Sequence, residues 1–410
     1  MKKFKLYHGE GDYCMVNGFT RAFTEKSYDK TSELIVYGAS VYGEIAFYTL
    51  QTLGIKPDFF CDRAIETNYY FGIKIIRPHE LKLHKNAMII IASSDYFHEI
   101  RKQLSDVGCK NLYNMNYLLN VKIDVGRLSS RAADFYDKKE DYIAIANVED
   151  GYLNFPRVQF VVTSACSLKC RDCISLMQYY ETPKNSDIEL YKAGFDRLLN
   201  CVNNIFDLRI LGGEPFVNHE MYKIIEWYHD SDKIKMISVF TNGTIVPDVN
   251  NMRQLKREKV RVHISDYGFN RDKIMKVKAA FDKNSIRYYV QPYDFWQNSG
   301  NLLKRNYTEE KKKYLFERCY ERECFSYFDG RLYHCPRAAH GINIGAMPDI
   351  KDEYVDLMDN SIIDDEILKQ LQFQRSRNYI DACDYCDGAD SRKLKIEPAI
   401  QISHFKKFSE

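Results

Sequence analysis

The stretch Thr163-Ser164-Ala165-Cys166-Ser167-Leu168-Lys169-Cys170-Arg171-Asp172-Cys173 decides how the rest of this chain is read. Its C-x3-C-x2-C spacing places three thiolates on one short loop. Iron–sulfur clusters are usually held by four cysteines. A loop that offers three leaves one iron of a cubane open to another ligand. That suits a cluster that does chemistry rather than one that only carries electrons. Just upstream, Arg157-Val158-Gln159-Phe160-Val161-Val162 reads as a buried strand that delivers the loop.

Three further segments follow in order. Leu208-Arg209-Ile210-Leu211 runs into Gly212-Gly213-Glu214-Pro215, and Ser238-Val239-Phe240 runs into Thr241-Asn242-Gly243-Thr244. Val260-Arg261-Val262-His263-Ile264 ends in Ser265-Asp266. With these elements the loop resembles that of the radical S-adenosylmethionine (radical SAM) superfamily. The resemblance implies a [4Fe-4S] cluster on Cys166, Cys170 and Cys173, with SAM chelating the open iron. It implies reductive SAM cleavage to a 5′-deoxyadenosyl radical that abstracts a hydrogen atom from substrate. Gly212, Gly213, Glu214, Pro215, Thr241, Asn242 and Ser265 are then the cofactor-binding candidates. Two glycines let a backbone approach a ligand, and the Glu214 carboxylate is expected to accept from the SAM ammonium. One position departs from the family: Asp172 stands where an aromatic residue usually meets the adenine. A structural zinc site is the plainer alternative for a short-spaced cysteine cluster.

The chain has 410 residues, enough for two or three domains, and 45% hydrophobic content, enough for full cores. A net charge of +2 makes no case for nucleic acid or a membrane surface. No apolar run approaches the about 20 residues that span a bilayer, and the start, Met1 to Glu10, lacks the apolar core of a signal peptide. The expectation is a cytoplasmic protein whose 12 cysteines serve metal or catalysis rather than disulfides. Cys14, Cys61, Cys109 and Cys201 are scattered and read as ordinary thiols.

From Glu33 to about Leu119, strands and helices alternate. Leu34–Tyr37, Asp58–Cys61, Ile73–Ile76, Met88–Ile91 and Asn111–Tyr113 read as strands, and Tyr96–Val107 as an amphipathic helix. This predicts a Rossmann-like parallel sheet over residues 1–125. The Gly38–Gly43 turn fits G-x-G-x-x-G except at Ser40, and Asp62 lies about where a ribose-binding carboxylate would. The module resembles the small nucleotide-sugar-binding domain of sugar O-acyltransferases. Gly38, Ser40, Gly43 and Asp62 are its candidate nucleotide contacts; a scaffold that binds nothing is the alternative. Residues 126–155 are expected to form a polar linker with a helix and a loop.

Strand patterns recur at 157–163, 207–212, 235–241, 259–265 and 287–291, with helical patterns between. Together with the family likeness they imply a partial (β/α)6 barrel over 156–315, with its chemistry at the carboxyl ends of the strands. Residues 316–410 resemble a twitch/SPASM-like auxiliary-cluster domain. Asp329-Gly330 marks a hairpin expected to bring Cys324 and Cys335 together, and Cys383-Asp384-Tyr385-Cys386 adds a knuckle. The favoured ligand set for an auxiliary [4Fe-4S] cluster is Cys324, Cys335, Cys383 and Cys386, with Cys319 as the alternative first ligand. A cluster with four protein ligands can accept an electron from a substrate radical, as a two-electron oxidation of an alcohol carbon requires. Asp266, His263 and Tyr267 are candidates for the base that removes the hydroxyl proton; Trp296 and Arg337 are weaker substrate candidates.

The expected function is a radical SAM enzyme acting on a sugar or nucleotide sugar in glycan or related biosynthesis, supplied with electrons by a flavodoxin or ferredoxin. A radical SAM peptide maturase is the second reading, although such enzymes often begin with a winged-helix module rather than βα alternation. A non-catalytic metal-binding interaction protein is the third.

Overall fold

The computed structural model describes residues 20–63, 65–94, 96–137, 139–146, 153–390 and 394–408. Cys14, the Met1–Glu10 start and the Glu149-Asp150-Gly151 stretch lie outside them. The chain divides into two compact units, Met1–Tyr152 and Leu153–Glu410.

In the first unit, Leu-Ile-Val-Tyr and Met-Ile-Ile-Ile are buried at every position. Strands covered on both faces need such unbroken apolar runs. They become β2 (Leu34–Tyr37) and β6 (Met88–Ile91), adjacent at the centre of a sheet. β3 (Phe59–Cys61) and β5 (Ile73–Ile76) extend it on one side, and β7 (Asn111–Asn114) and β1 (Arg21–Ala22) on the other. These pairings are parallel; only β4 (Tyr69–Tyr70) runs antiparallel, on β5. Helices α1 (Val41–Thr52) and α2 (Phe97–Val107) follow β2 and β6. Gly108, at φ 95°, closes α2 in the left-handed conformation that glycine adopts without strain.

The expected linker folds instead as helices of this unit, α3 (Ser130–Asp137) and α4 (Lys139–Ala146). Leu128, Ala132, Phe135 and Tyr142 recur at helical spacing, so the segment has an apolar face to bury. Phe135 meets Tyr42 edge-on at 5.3 Å, and Tyr142 is fully buried, donating to the Ile91 carbonyl.

In the second unit, β8 (Asn154–Thr163), β9 (Asn204–Gly212), β10 (Ile234–Thr241), β11 (Val260–Asp266) and β12 (Tyr288–Pro292) lie side by side and parallel. Helices α5 (Ile188–Cys201), α6 (Tyr222–Tyr228), α7 (Val249–Leu255) and α8 (Arg271–Lys283) alternate with them in sequence. The sixth parallel strand comes from the tail. β14 (Cys324–Phe328) pairs with the free side of β8, and β15 (Arg331–Tyr333) and β16 (Tyr354–Asp356) continue the sheet antiparallel. Asp329 (φ 48°) and Gly330 (φ 82°) make the β14–β15 turn with both central residues at positive φ, as a two-residue hairpin requires. The tail thus joins the barrel sheet rather than standing beside it. α9 (Glu309–Arg318), α10 (Pro336–Asn343) and α11 (Asp364–Ser376) complete the helices, and β13 (Trp296–Gln297) pairs with β17 (Lys395–Ile396).

Alternate residues of the barrel strands, Val158, Phe160, Leu208, Ile210, Ile237, Val239, Val262 and Ile264, enter one continuous core with the helices. Phe160, Phe195 and Tyr327 meet there with ring centroids 5.0–5.3 Å apart. Truncating a buried phenylalanine removes its transfer energy and leaves a cavity, about 3–5 kcal/mol together. Phe195→Ala is therefore expected to lower the thermal unfolding midpoint of the second unit, measured by calorimetry, while Leu190→Ala, at an exposed site on the same helix, leaves it nearly unchanged.

Candidate functional site

The cysteine loop leaves the end of β8 and is gripped by the turn that leaves β9. Gly213 N–H donates to Thr163 O at 3.0 Å and Glu214 N–H to Ala165 O at 2.9 Å. A Cβ on Gly213 would stand 2.1 Å from Ala165 O and 2.9 Å from the Cys166 Cβ. The absence of a side chain there lets the two segments touch.

Glu214 departs from its expected role. Its side chain is fully enclosed, with Oε1 accepting from Thr241 Oγ1 at 2.7 Å and Oε2 from Asn242 N–H at 2.8 Å. A carboxylate tied into the β10 turn is not available to a SAM ammonium; it fastens Gly212–Pro215 to Thr241-Asn242-Gly243. Pro215 opens a short 3-10 turn, Pro215–Val217. Thr241 Oγ1 also accepts from Gly243 N–H at 3.0 Å.

Each sulfur of the loop meets N–H donors. Leu168 N–H lies 3.4 Å from Cys166 Sγ, and the Asn242 side-chain amide 3.6 Å from it. The Gln401 amide lies 3.2 Å from Cys170 Sγ, and Cys173 receives backbone N–H groups of Met177, Ser175 and Leu176. Burial pushes all three thiols up, Cys170 to about 12. None is in a disulfide. Asp172 pairs with Arg171 at 2.8 Å.

Three unbridged thiols with N–H donors already directed at them fit a cluster that takes three protein sulfurs. Among the described residues no three His, Cys, Asp or Glu side chains stand close enough to share one metal ion; the sulfurs of a cubane sit on separate irons and are spaced more widely.

At the end of β11 the candidates separate. Asp266 is spent locally, Oδ1 accepting from Gly268 N–H at 2.8 Å and Oδ2 pairing with Arg271 at 3.2 Å. His263 lies between the rings of Phe240 (4.5 Å, 8° between planes) and Tyr289 (5.7 Å). Tyr267 bonds Ser265 and lies near Cys170 and Cys173; burial raises its phenol. Trp296 packs edge-on against Tyr267 at 5.5 Å. Arg337 is buried and donates to the carbonyls of Gly300 and Asn301, which makes it a brace for the tail rather than a substrate contact. Asn270 carries no family motif, yet it ties the strand ends together: it donates to Asn242 O at 2.7 Å and Ser265 O at 3.0 Å and accepts from Tyr267 N–H at 3.0 Å.

The sheet face away from the helices is polar. Strand register places Cys324, Arg157, Asp207 and Met236 in one row, and Ser326, Gln159, Arg209, Ser238 and Arg261 in the next. Arg209 pairs with Asp207 at 2.6 Å and its guanidinium lies 5.0 Å from the centre of Phe240. Asp207 Oδ1 and the Ser238 hydroxyl are enclosed and find no hydrogen-bond partner among the described residues. The alternation Arg157-Val158-Gln159-Phe160 carries this signal in the sequence.

The tail cysteines correct the favoured set. Cys335 caps α10, with Ala338 N–H 3.4 Å from its sulfur and Pro336 at the first helical position. Burial, and then the neighbouring Cys383, Cys319 and Cys386, raise its thiol. Cys324 lies elsewhere: burial and Glu321 push it to about 12, and Arg157 donates to its sulfur at 3.3 Å. β14 pairs in parallel with β8, with Cys324 opposite Arg157, and so turns Cys324 onto the polar sheet face. The hairpin pairing stops at Ser326–Tyr333, and Cys335 leaves the strand. The alternative first ligand, Cys319, is the one that adjoins the other three.

In the amino-terminal unit, Gly38, at φ +113°, would place a Cβ 2.5 Å from Ala92 O, and one on Gly43 would meet Gly38 O at 2.1 Å. Both glycines therefore serve close packing of β2, α1 and the end of β6. Ser40 is the N-cap of α1 without a side-chain cap bond, and Asp62 accepts from Ala39 N–H at 2.9 Å.

Residues 30–112 match the family model described as C2185-like, N-terminal. GTP 3′,8-cyclase of Clostridium acetobutylicum is 31% identical over 115 residues, 27% of this chain and 35% of the relative. That of Alkaliphilus oremlandii is 28% identical over 141 residues, 33% and 41% of the two chains. This chain thus spans well under half the length of the curated relatives it matches. Among solved structures, native anSMEcpe with bound AdoMet and Cp18Cys peptide aligns at TM-score 0.35 and 14% identity, over 60% of this chain and 93% of its own. BtrN in complex with AdoMet and 2-DOIA aligns at 0.38 and 12%, over 60% and 98%. These structural likenesses are too distant to speak of activity. The strand-end motifs resemble those of the radical SAM superfamily, and the curated relatives are similar to part of this chain.

Enclosure pushes the Glu214 carboxyl up to about 7, against the hydrogen bonds of Thr241, Asn242 and Phe216 that favour its ionised form. A carboxyl with a raised folded-state pKa holds its proton more tightly when folded, so stability falls as pH rises from the unfolded value near 4.5 through 7 and is level above. The apoprotein is expected to melt progressively lower between pH 5 and 7, and Glu214→Gln to flatten that slope.

Proposed function

We propose that this chain is a radical SAM enzyme that abstracts hydrogen from a sugar or nucleotide sugar, completing a dehydrogenation. The observation that carries the reading is the meeting of three N–H-supported thiols with the Gly213 and Asn242 turns at one end of the barrel sheet. Cys166, Cys170 and Cys173 would hold the SAM-binding cluster, and Cys319, Cys335, Cys383 and Cys386 the auxiliary one. Bound there, SAM and the clusters supply the hydrogen-abstracting radical and an acceptor for the electron that a dehydrogenation releases. The chain supplies the rest. Gly212 and Gly213 keep the cysteine loop against the sheet. His263 is the residue proposed to take the substrate hydroxyl proton, since Asp266 is held by its own turn and Arg271. The polar sheet face, with Arg209, Ser238 and Asp207 below the aromatic rings of Phe240, His263 and Tyr289, suits a hydroxylated ring: aromatic faces for its apolar surface and polar groups for its edges. The amino-terminal unit, taken by itself, is proposed to bind a nucleotide at the turn after β2, beside Asp62.

The test is anaerobic reconstitution, reduction with dithionite, and measurement of 5′-deoxyadenosine with a panel of nucleotide sugars and a panel of short peptides. Nucleotide sugars are expected to raise its formation; a rise with peptides alone would overturn the substrate class. Cys170→Ala is expected to abolish 5′-deoxyadenosine formation. Cys319→Ala should lower iron to about that of one cubane, whereas Cys324→Ala should leave iron unchanged; the reverse pattern would restore Cys324 to the auxiliary set.

A further inference from the structure

Residues 399–406, near the carboxyl terminus, run along the cysteine loop. Arg171 N–H donates to Ile400 O at 2.7 Å, and Ile402 N–H to Lys169 O at 2.9 Å. Cys170 and Gln401 face each other across this antiparallel bridge. The Lys169 ammonium sits 3.7 Å from the centre of the Phe405 ring, and Lys406 N–H donates to Gln178 O at 2.8 Å.

Within this strap the Gln401 amide has one orientation. Lys169 N–H, 2.8 Å away, needs an acceptor, so the amide oxygen faces it. The NH2 group then faces the Cys170 sulfur at 3.2 Å and the Ala399 carbonyl at 2.6 Å. The amide is therefore fixed at both ends, with an N–H directed at the sulfur. Ala399 holds a left-handed φ of 51°, a conformation that a non-glycine residue adopts only when its surroundings impose it.

We infer that Gln401 is a positioning residue that sets the reduction potential of the cluster on Cys166, Cys170 and Cys173, by donating a hydrogen bond to the Cys170 thiolate. This rests on the proposed function in one respect, that these cysteines carry the cluster. The physics is direct. An added electron increases the negative charge on the cluster sulfurs. A hydrogen bond to a sulfur stabilises that charge and raises the potential. Reductive SAM cleavage begins with that electron, so the strap eases reduction of the cluster and lowers by the same amount its driving force toward SAM.

Gln401→Glu keeps the shape and the acceptor for Lys169 N–H, but replaces the donor with an oxygen and adds negative charge. Gln401→Leu removes donor and acceptor together. The measurement is an anaerobic, EPR-monitored redox titration of the reconstituted full chain, following the cluster whose signal changes when SAM is added. Both variants are expected to hold wild-type iron and to show a more negative midpoint, with the glutamate variant displaced further. A wild-type midpoint in an iron-replete Gln401→Glu protein would overturn the inference. So would failure of both variants to load iron, which would make the strap an assembly element. If the wild-type chain shows no SAM-responsive cluster, the cysteine assignment itself has failed, an outcome separate from either.

Discussion

Parallel strands must have both faces covered, because their backbones are joined by crossovers that lay helices against the sheet. In the second unit α5–α8 supply hydrocarbon to one face only. Everything that looks functional follows from how the other face is treated. Its polar residues include Arg157, Gln159, Asp207, Arg209, Ser238 and His263, none of which a hydrophobic core accepts without a polar partner. Arg209 answers Asp207, Ser326 answers Gln159, and Arg157 answers Cys324. Such a face is expensive to enclose and useful to a ligand. The cysteine loop, the Gly212–Pro215 turn and the Thr241–Thr244 turn all leave strands at one end of this face, where loops of successive strands meet.

Glu214 shows how a motif residue can be read for the wrong atom. Its carboxylate is a tie between two strand-end turns, and its enclosure raises its proton affinity while three donors lower it. The turn it secures in turn presents Asn242 to Cys166, and Asn270 holds Asn242 from the opposite side. Glu214 and Asn270 thus act on the Cys166 sulfur through Asn242.

The tail has two separate parts. One adds β14–β16 to the sheet, and carries Cys324 onto its polar face. The other, from the α10 cap through Cys386, gathers Cys335, Cys383 and Cys386 beside Cys319. Arg337 and the Arg305–Asp387 pair brace the loops around them. The carboxyl-terminal strap then returns to the first cysteine loop.

Most of the elements were legible in the residues themselves. Period-two and unbroken apolar runs placed β2, β5, β6 and the five barrel strands within a few positions, because hydrophobic periodicity reports burial and burial is local to a strand. The three-cysteine loop, the two glycine turns and the Asp329-Gly330 hairpin were equally plain, since each depends on backbone geometry that only certain residues permit. What the residues alone left open were contacts between segments distant along the chain. Choosing Cys319 over Cys324 required the pairing of β14 with β8, which sets the side on which each sulfur points. Folding 130–146 onto the first unit required a partner for its apolar face. Gln401, separated by 231 positions from Cys170, has no local signal at all. A hydrogen bond between remote segments is fixed by tertiary packing, and only the folded chain brings its donor to its acceptor.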